Sequence, residues 1–313
     1  MKTFIAKRVA SGVVLIVAIS TVAFLLLTLG AGNVGRTKLG VNATQEQVAQ
    51  YNEDLGLNRP VMTQYVDWAS SAATGDLGDS WFGPETVLNT LKNRFPVTIT
   101  IVLGSLILAA VLAVVLGVAA AVIGGLLDRS VQMLGLIGFA VPGFLIAYLL
   151  VTIFSIRLGW FRATGYTAWS DSPVDWLRSI ALPVISLSFA SLASLSLQIR
   201  GSVRDGLDHD YVRTLRSRGL GEKRVLYKHI LRNAAGPALS IAGVQFIGLL
   251  GGAVIIEQIF SIPGLGQIAV NSATNGDVPL VMGLVVLTAL LVVAVNLLID
   301  LVTAWLNPKV RLS

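Results

Sequence analysis

The 313-residue chain has two histidines, His209 and His229, and no cysteine. Disulfides, thiolate metal sites and thiol nucleophiles are therefore excluded. A pair of histidines makes a histidine metal cage an unfavoured reading. A serine hydrolase working inside a membrane would need a histidine base beside its serine at membrane depth. Both histidines fall instead within one basic stretch, residues 200–236. No Gly-x-x-x-x-Gly-Lys-[Ser/Thr] phosphate loop occurs, so the chain cannot bind ATP in the usual way. What remains is charge, and nine of the 23 Lys/Arg lie in residues 200–232. Such a cluster recognises surfaces; it does not make or break bonds.

The pattern within this stretch predicts order. Asp210 is a favourable N-cap. Tyr211 and Leu215 follow at i, i+4 on one helical face, and Gly219 and Gly221 bracket Leu220 and end the helix. Glu222 opens a second helix, where a carboxylate favours the first turn. Val225, Leu226, His229 and Ile230 then form an apolar stripe. Two short amphipathic helices at an angle are expected, each basic on its polar side. Three readings fit them. A basic loop could lie on anionic headgroups. Nucleic-acid binding would need an aromatic platform or a known module, and neither is present. The third reading is a docking element for a cytoplasmic partner. The residues alone do not choose between the first and the third.

The elements that position this stretch are membrane helices. The chain is 54% hydrophobic and only 13% charged, with a mean hydropathy of +0.77, against about 25% charged residues in soluble domains. Its net charge of +6 then reflects topology more than nucleic-acid binding. A span takes about 20 mostly apolar residues. Six stretches qualify, near 9–30, 98–124, 131–155, 180–199, 237–257 and 279–303. The first has Lys7-Arg8 before it, as a signal peptide would. Its apolar run of 21 residues, Val9 to Leu29, exceeds the usual signal core. It is read as an uncleaved helix.

With the N-terminus inside, 15 of the 23 Lys/Arg fall on cytoplasmic segments. By the positive-inside rule both termini are cytoplasmic. The fold class expected is an all-α membrane protein of six transmembrane helices. It carries an extracytoplasmic helical insertion between helices 1 and 2 and a cytoplasmic loop between helices 4 and 5. The expected divisions are 1–31 (cytoplasmic N-terminus and first helix), 32–96 (insertion) and 97–313 (a five-helix core with the loop 200–236).

Within the insertion, Thr44 caps a helix over Gln45 to Leu55, Pro60 to Ala73 offers a second, and Gly75-Asp76-Leu77-Gly78 reads as a turn. Trp160, Phe161, Tyr166, Trp169 and Trp176 read as a headgroup-level aromatic belt. Val141-Pro142-Gly143 interrupts the third span, and Pro142 should kink it. A hinge, a path lining and a simple packing kink all remain open there. Gly243, Gly248, Gly251 and Gly252 have the small-residue spacing of close helix packing, and Gly124-Gly125 ends the second span. Phe260, Pro263 and Gly264 form a tight loop, a candidate outer gate. The helix centres hold no ionisable side chain. Ion-driven transporters place such groups at membrane depth, so an ion-coupled secondary transporter is the weaker alternative. Energy for uphill transport would have to enter from outside the membrane.

Asp210-Tyr211-Val212-Arg213-Thr214-Leu215-Arg216-Ser217-Arg218-Gly219-Leu220, with His229-Ile230-Leu231-Arg232-Asn233-Ala234 and Pro237, resembles the EAA-type loop of ABC importer permeases. It is most similar to the B-type subunit of oligopeptide/dipeptide permeases. The resemblance runs along nearly the whole chain. It includes Lys7-Arg8-Val9, Gly56-Leu57-Asn58-Arg59-Pro60, Gly75-Asp76-Leu77-Gly78-Asp79-Ser80, Phe95-Pro96-Val97-Thr98, Glu257 to Gly266, Asn296 to Asp300 and Asn307 to Arg311. It departs at Gly30-Ala31-Gly32-Asn33, where the family often has a Pro-Gly-Asp-Pro-like turn, and at Leu215, where alanine is common.

The resemblance implies that Asp210, Tyr211, Arg213, Thr214, Leu215, Arg218, Gly219 and Leu220 belong to a coupling helix seated on an ATPase. It implies a second homologous permease, two ABC ATPase subunits carrying the ATP and magnesium, and an extracytoplasmic substrate-binding protein. The chain itself would hold no cofactor, catalyse nothing, and sit among lipids in a prokaryotic inner membrane. The solute implied is a peptide. Nickel, glutathione or an opine is the alternative within the same permease type.

Overall fold

The computed structural model describes residues 2–30 and 34–306. Helix α1 (Lys2–Gly30) leads to three short helices, α2 (Val34–Leu39), α3 (Gln45–Asp54) and α4 (Val61–Ala73). Then come α5 (Val87–Ile123), α6 (Gly125–Ala140) and α7 (Gly143–Leu150), which runs into a π-helical turn, Val151–Arg157. Helices α8 (Pro173–Asp208), α9 (Asp210–Ser217) and α10 (Glu222–Arg224) follow. A second π-helical turn, Val225–Ile230, precedes α11 (Leu231–Ile259), α12 (Leu265–Asn275) and α13 (Val278–Leu306). Among the described residues there is no strand, only one antiparallel bridge between Asp79 and Thr86. The Gly30–Asn33 turn, apart from Gly30, and the Asn307–Arg311 ending lie outside the described residues, as do Met1 and the C-terminal end whose sidedness was expected.

Among the described residues five helices are long and apolar enough to cross a membrane, and a sixth crossing exists if α6 and α7 count as one. That pair is bent by 100°. The physical cause lies at Val141-Pro142. Proline disfavours a helical conformation in the residue before it, and a β-branched valine adds to that. Val141 is accordingly extended, with φ −97° and ψ 117°. Pro96, Pro183 and Pro237 remain inside continuous helices. None of them follows a β-branched residue or precedes a glycine. The expected kink at Pro142 is therefore a complete break.

The chain divides into two compact units: Met1–Val97 with Pro263–Ala294, and Thr98–Ile262 with Val295–Ser313. In the first, Phe24, Val278 and Met282 are buried against Tyr65, Trp68 and Trp81. Tyr65 also reaches α1 by hydrogen bonds with Ser20 and Thr21, each 2.9 Å. Thr44 caps α3 with a reciprocal Gln47 bond, a capping box. The Gly75–Gly78 turn uses positive φ at both glycines (+93° and +79°). In the second unit, α8 packs on α6, α7 and α11. Gly135 and Gly138 let α6 approach α8 closely, since a Cβ at either would overlap Leu197 or Ala193. The glycines of α11 divide: a Cβ at Gly243 would meet Ile299 and one at Gly252 would meet Leu187, but Gly248 and Gly251 face open space. Only half of that expected small-residue seam therefore packs within this chain.

Candidate partner-docking site

Helix α8 ends at Asp208, and α9 begins at Asp210. His209 alone separates them, extended at φ −69° and ψ 143°. It is His209, not Asp210, that occupies the N-cap, and no side chain caps α9. Asp210 sits in the first turn instead, where its charge favours the helix dipole. The helix stops in a complete Schellman motif: Leu220 N–H donates to the Leu215 carbonyl at 3.2 Å, and Gly219 N–H to that of Arg216 at 2.9 Å. Gly219 supplies the required positive φ, +79°.

The candidate residues fall on two faces. Tyr211, Leu215 and Leu220 pack inward against a cluster that includes Val212, Val225, Ile230, Val203 and Ile199. Val212 is fully buried. Sequence reasoning passed over it, although Tyr211, Val212 and Leu215 make an i, i+1, i+4 stripe. Tyr211 accepts a hydrogen bond from Asn233 at 3.3 Å, and its ring lies 5.8 Å from that of His209. Asp210, Arg213, Thr214 and Arg218 point outward and are exposed. Arg213 lies 3.5 Å from Asp210, one turn away. The expected stripe after Glu222 also faces inward, with Val225 and Ile230 buried and Leu226 and His229 half-buried.

An ion pair joins the two short helices. Arg216 donates to both Glu222 carboxylate oxygens, at 2.8 and 3.0 Å. Its hydrogen bond to Glu222 raises the Arg216 pKa above the usual guanidinium value. A second ion pair is more enclosed: Asp128 on α6 accepts from Arg200 on α8 through both carboxylate oxygens, and from Arg204 at 3.4 Å. Neither pair was anticipated from spacing, because their partners come from different helices.

The candidate gate residues separate. Pro142 and Gly143 sit at the α6–α7 break. The Phe260 carbonyl accepts from Gly165 N–H at 2.8 Å, while in the other unit the Pro263 carbonyl accepts from Arg94 at 3.2 Å. Gly264 is the residue before α12. Ser261 is the one non-glycine residue with positive φ among the described residues, +49°, so this loop carries local backbone strain. In the first unit a cavity of about 520 Å³ is lined by Trp68, Trp81, Arg59 and Asp67 among others. No group of three His, Cys, Asp or Glu among the described residues is placed to hold a metal.

The family model described as "Binding-protein-dependent transport system inner membrane component" matches residues 113–312. Its companion for the N-terminal part of the same membrane component matches residues 1–102. A probable peptide ABC transporter permease protein of Sinorhizobium fredii is 35% identical, with 99% of this chain and 100% of that protein covered. The oligopeptide transport system permease protein AppB of Bacillus subtilis is 32% identical, covering 99% of this chain and 100% of its own length. The di/tripeptide transport system permease protein DppB of Pseudomonas aeruginosa is also 32% identical, with 99% of each chain covered. Among solved structures, the MetNI methionine ABC transporter in an inward-facing conformation gives a TM-score of 0.51 at 16% identity. That likeness covers 71% of this chain and 94% of the other, and it concerns the fold.

Several long apolar helices, two of them joined by an ordered basic loop, define a multi-pass membrane protein. The chain belongs to the binding-protein-dependent transport system inner membrane component family. That family is a permease component of ABC importers, not an enzyme.

Proposed function

We propose that the chain forms half of the translocation path for di- and oligopeptides in the cytoplasmic membrane of a prokaryote. A second homologous permease completes the path. Two ABC ATPases carry the ATP and magnesium, and an extracytoplasmic binding protein delivers the peptide. The observation that carries this reading is the full-length match, at 32–36% identity, to permeases named for peptide transport. In this reading residues 1–31, 32–96 and 97–313 are the N-terminal helix, the outer insertion and the permease core, and both termini are cytoplasmic. Helix α9 is the coupling helix. Its inward face anchors it through Tyr211, Leu215 and Leu220, leaving Asp210, Arg213, Thr214 and Arg218 to meet the ATPase, with Gly219 ending the helix. Pro142, Gly143, Phe260, Pro263 and Gly264 are proposed as hinge and gate positions.

Co-expression with the neighbouring operon products and purification in detergent tests this. Wild-type chain is expected to bring down ATPase subunits, and Gly219→Pro with Arg213→Glu to lose or uncouple them. If no ATPase co-elutes and the variant matches wild type, residues 210–222 are a lipid-facing basic segment. Uptake competition among a tripeptide, nickel and glutathione separates the solutes. The cysteine-free sequence allows a single Ser217→Cys to report sidedness, with labelling expected from the cytoplasmic face only.

A further inference from the structure

Asp128 stands in the first turn of α6 and is only 9% exposed. Its carboxylate is answered by Arg200 in two-point geometry, with the Arg200 side chain 19% exposed, and by Arg204 one turn further along α8. Long-range charge pairing this enclosed is costly unless well satisfied. Nearby packing is dense: Gly135 and Gly138 seat α6 against Leu197 and Ala193 of α8. The same α8 continues to His209, whose single extended residue carries α9. Below the ion pair, a Cβ at Gly206 would lie 2.9 Å from Ile230, and Val203, Val212 and Ile230 share one core. Above it, α6 runs to the 100° break at Val141-Pro142.

These contacts make one continuous solid path. From His209 to Arg200 is about 13 Å along α8, and from Asp128 to Val141 about 20 Å along α6, at 1.5 Å per residue. We infer that the Asp128–Arg200 ion pair is the positioning contact that carries displacement of α9 into the broken span. This rests on the reading of α9 as the ATPase-docking helix. An ion pair suits the task because its two-point geometry is directional, and so adds orientation to the close packing of α6 on α8. Arg204, half exposed, lends charge but not orientation.

The test uses the complete transporter, reconstituted in proteoliposomes with its ATPases and binding protein, and reads peptide uptake per ATP hydrolysed. Three chains are compared with wild type. Asp128→Asn with Arg200→Gln and Arg204→Gln removes the ionic tie without stranding a charge. Asp128→Asn alone leaves Arg200 unanswered. Asp128→Arg with Arg200→Asp and Arg204→Gln reverses the pair without setting the new guanidinium against Arg204. The neutralised pair is expected to assemble and hydrolyse ATP, with uptake per ATP falling about tenfold, within the usual range of allosteric couplings. Charge reversal is expected to restore most of the ratio, a rescue that loss of folding would not give. An unchanged ratio in the neutralised pair overturns the inference. So does a fall in uptake that only tracks the amount of assembled complex, without rescue by reversal. Failure of the wild-type chain to assemble with an ATPase is a separate result: it removes the docking reading itself, and the inference with it.

Discussion

Asp277 and Asp128 are buried carboxylates at the start of long helices, one in each compact unit. Asp277, 2% exposed, is met by neutral donors: the Ser80 hydroxyl, Trp81 N–H at 3.3 Å and Leu280 N–H at 3.4 Å. Asp128 is met by two guanidiniums. The neutral donors tie the Gly75–Ser80 turn to the start of α13 and leave no cation behind when the carboxylate goes. The guanidiniums tie two helices and would be stranded. A lock of neutral donors that should tolerate an isostere and an ionic strut that should not are different devices, although both rest on an aspartate and both join residues far apart in sequence.

The largest expected effect on folding tests the first half of this contrast. Asp277→Ala loses three hydrogen bonds to the carboxylate, the one from Leu280 being the helix cap, a cost of about 3 kcal/mol. Thermal unfolding in detergent should show it, with proteolytic cutting newly appearing within residues 75–83. Asp277→Asn keeps an acceptor for both Trp81 and Leu280, which share Oδ1, and should cost less than half as much. If Asn proves as damaging as Ala, charge itself matters at Asp277 and the contrast with Asp128 collapses.

The seams of the second unit offer the next test. Gly138→Ala forces a methyl into Ala193 and should cost about 1–3 kcal/mol by overpacking. Gly251→Ala, with nothing within 4 Å, should be neutral or stabilise the isolated chain by about 0.4–1 kcal/mol. The same Gly251 variant in the complete transporter is informative in another way. A loss of assembly there would show that this open stripe of α11 meets the second permease.

The helices were legible because lipid imposes a plain rule, about 20 apolar residues per crossing. Five of the six stretches fall in single long helices, and the sixth is the one with Val141-Pro142-Gly143. Its interruption was readable from proline chemistry, but the 100° was not, because the angle depends on what α6 and α7 pack against. Turns were legible at Gly219, Gly75 and Gly78, where glycine takes positive φ, but those at Gly40, Gly159, Gly165 and Gly276 were not. Helix α12 lay in a stretch read only as loop, and the π-helical turn at Val225–Ile230 was hidden. With hindsight the buried pair Val225 and Ile230, five apart, fits the wider π turn. Helix α9 itself was legible from a local stripe. Its supports, Asn233 on Tyr211 and Arg200 on Asp128, join residues 22 and 72 positions apart. No local periodicity encodes those.

The smallest expected effect concerns Arg216. Its pair with Glu222 has ideal two-point geometry, yet the side chains are 42% and 69% exposed. Exposed pairs contribute little to stability and are screened by salt. Arg216→Ala should therefore leave thermal unfolding of the chain unchanged at any salt concentration. The pair bridges α9 and the helix after it, however, and the angle between them would matter to a docked partner more than to the fold. Loss of ATPase co-elution in Arg216→Ala, matched by wild type washed in high salt and spared in low salt, would mark the pair as an orienting contact. Equal co-elution of both chains at every salt concentration would leave the inward anchors, Tyr211, Leu215 and Leu220, as the sole determinants of how α9 is presented. The contrast drawn for the aspartates would then extend to the surface: enclosed ion pairs transmit, and exposed ones decorate.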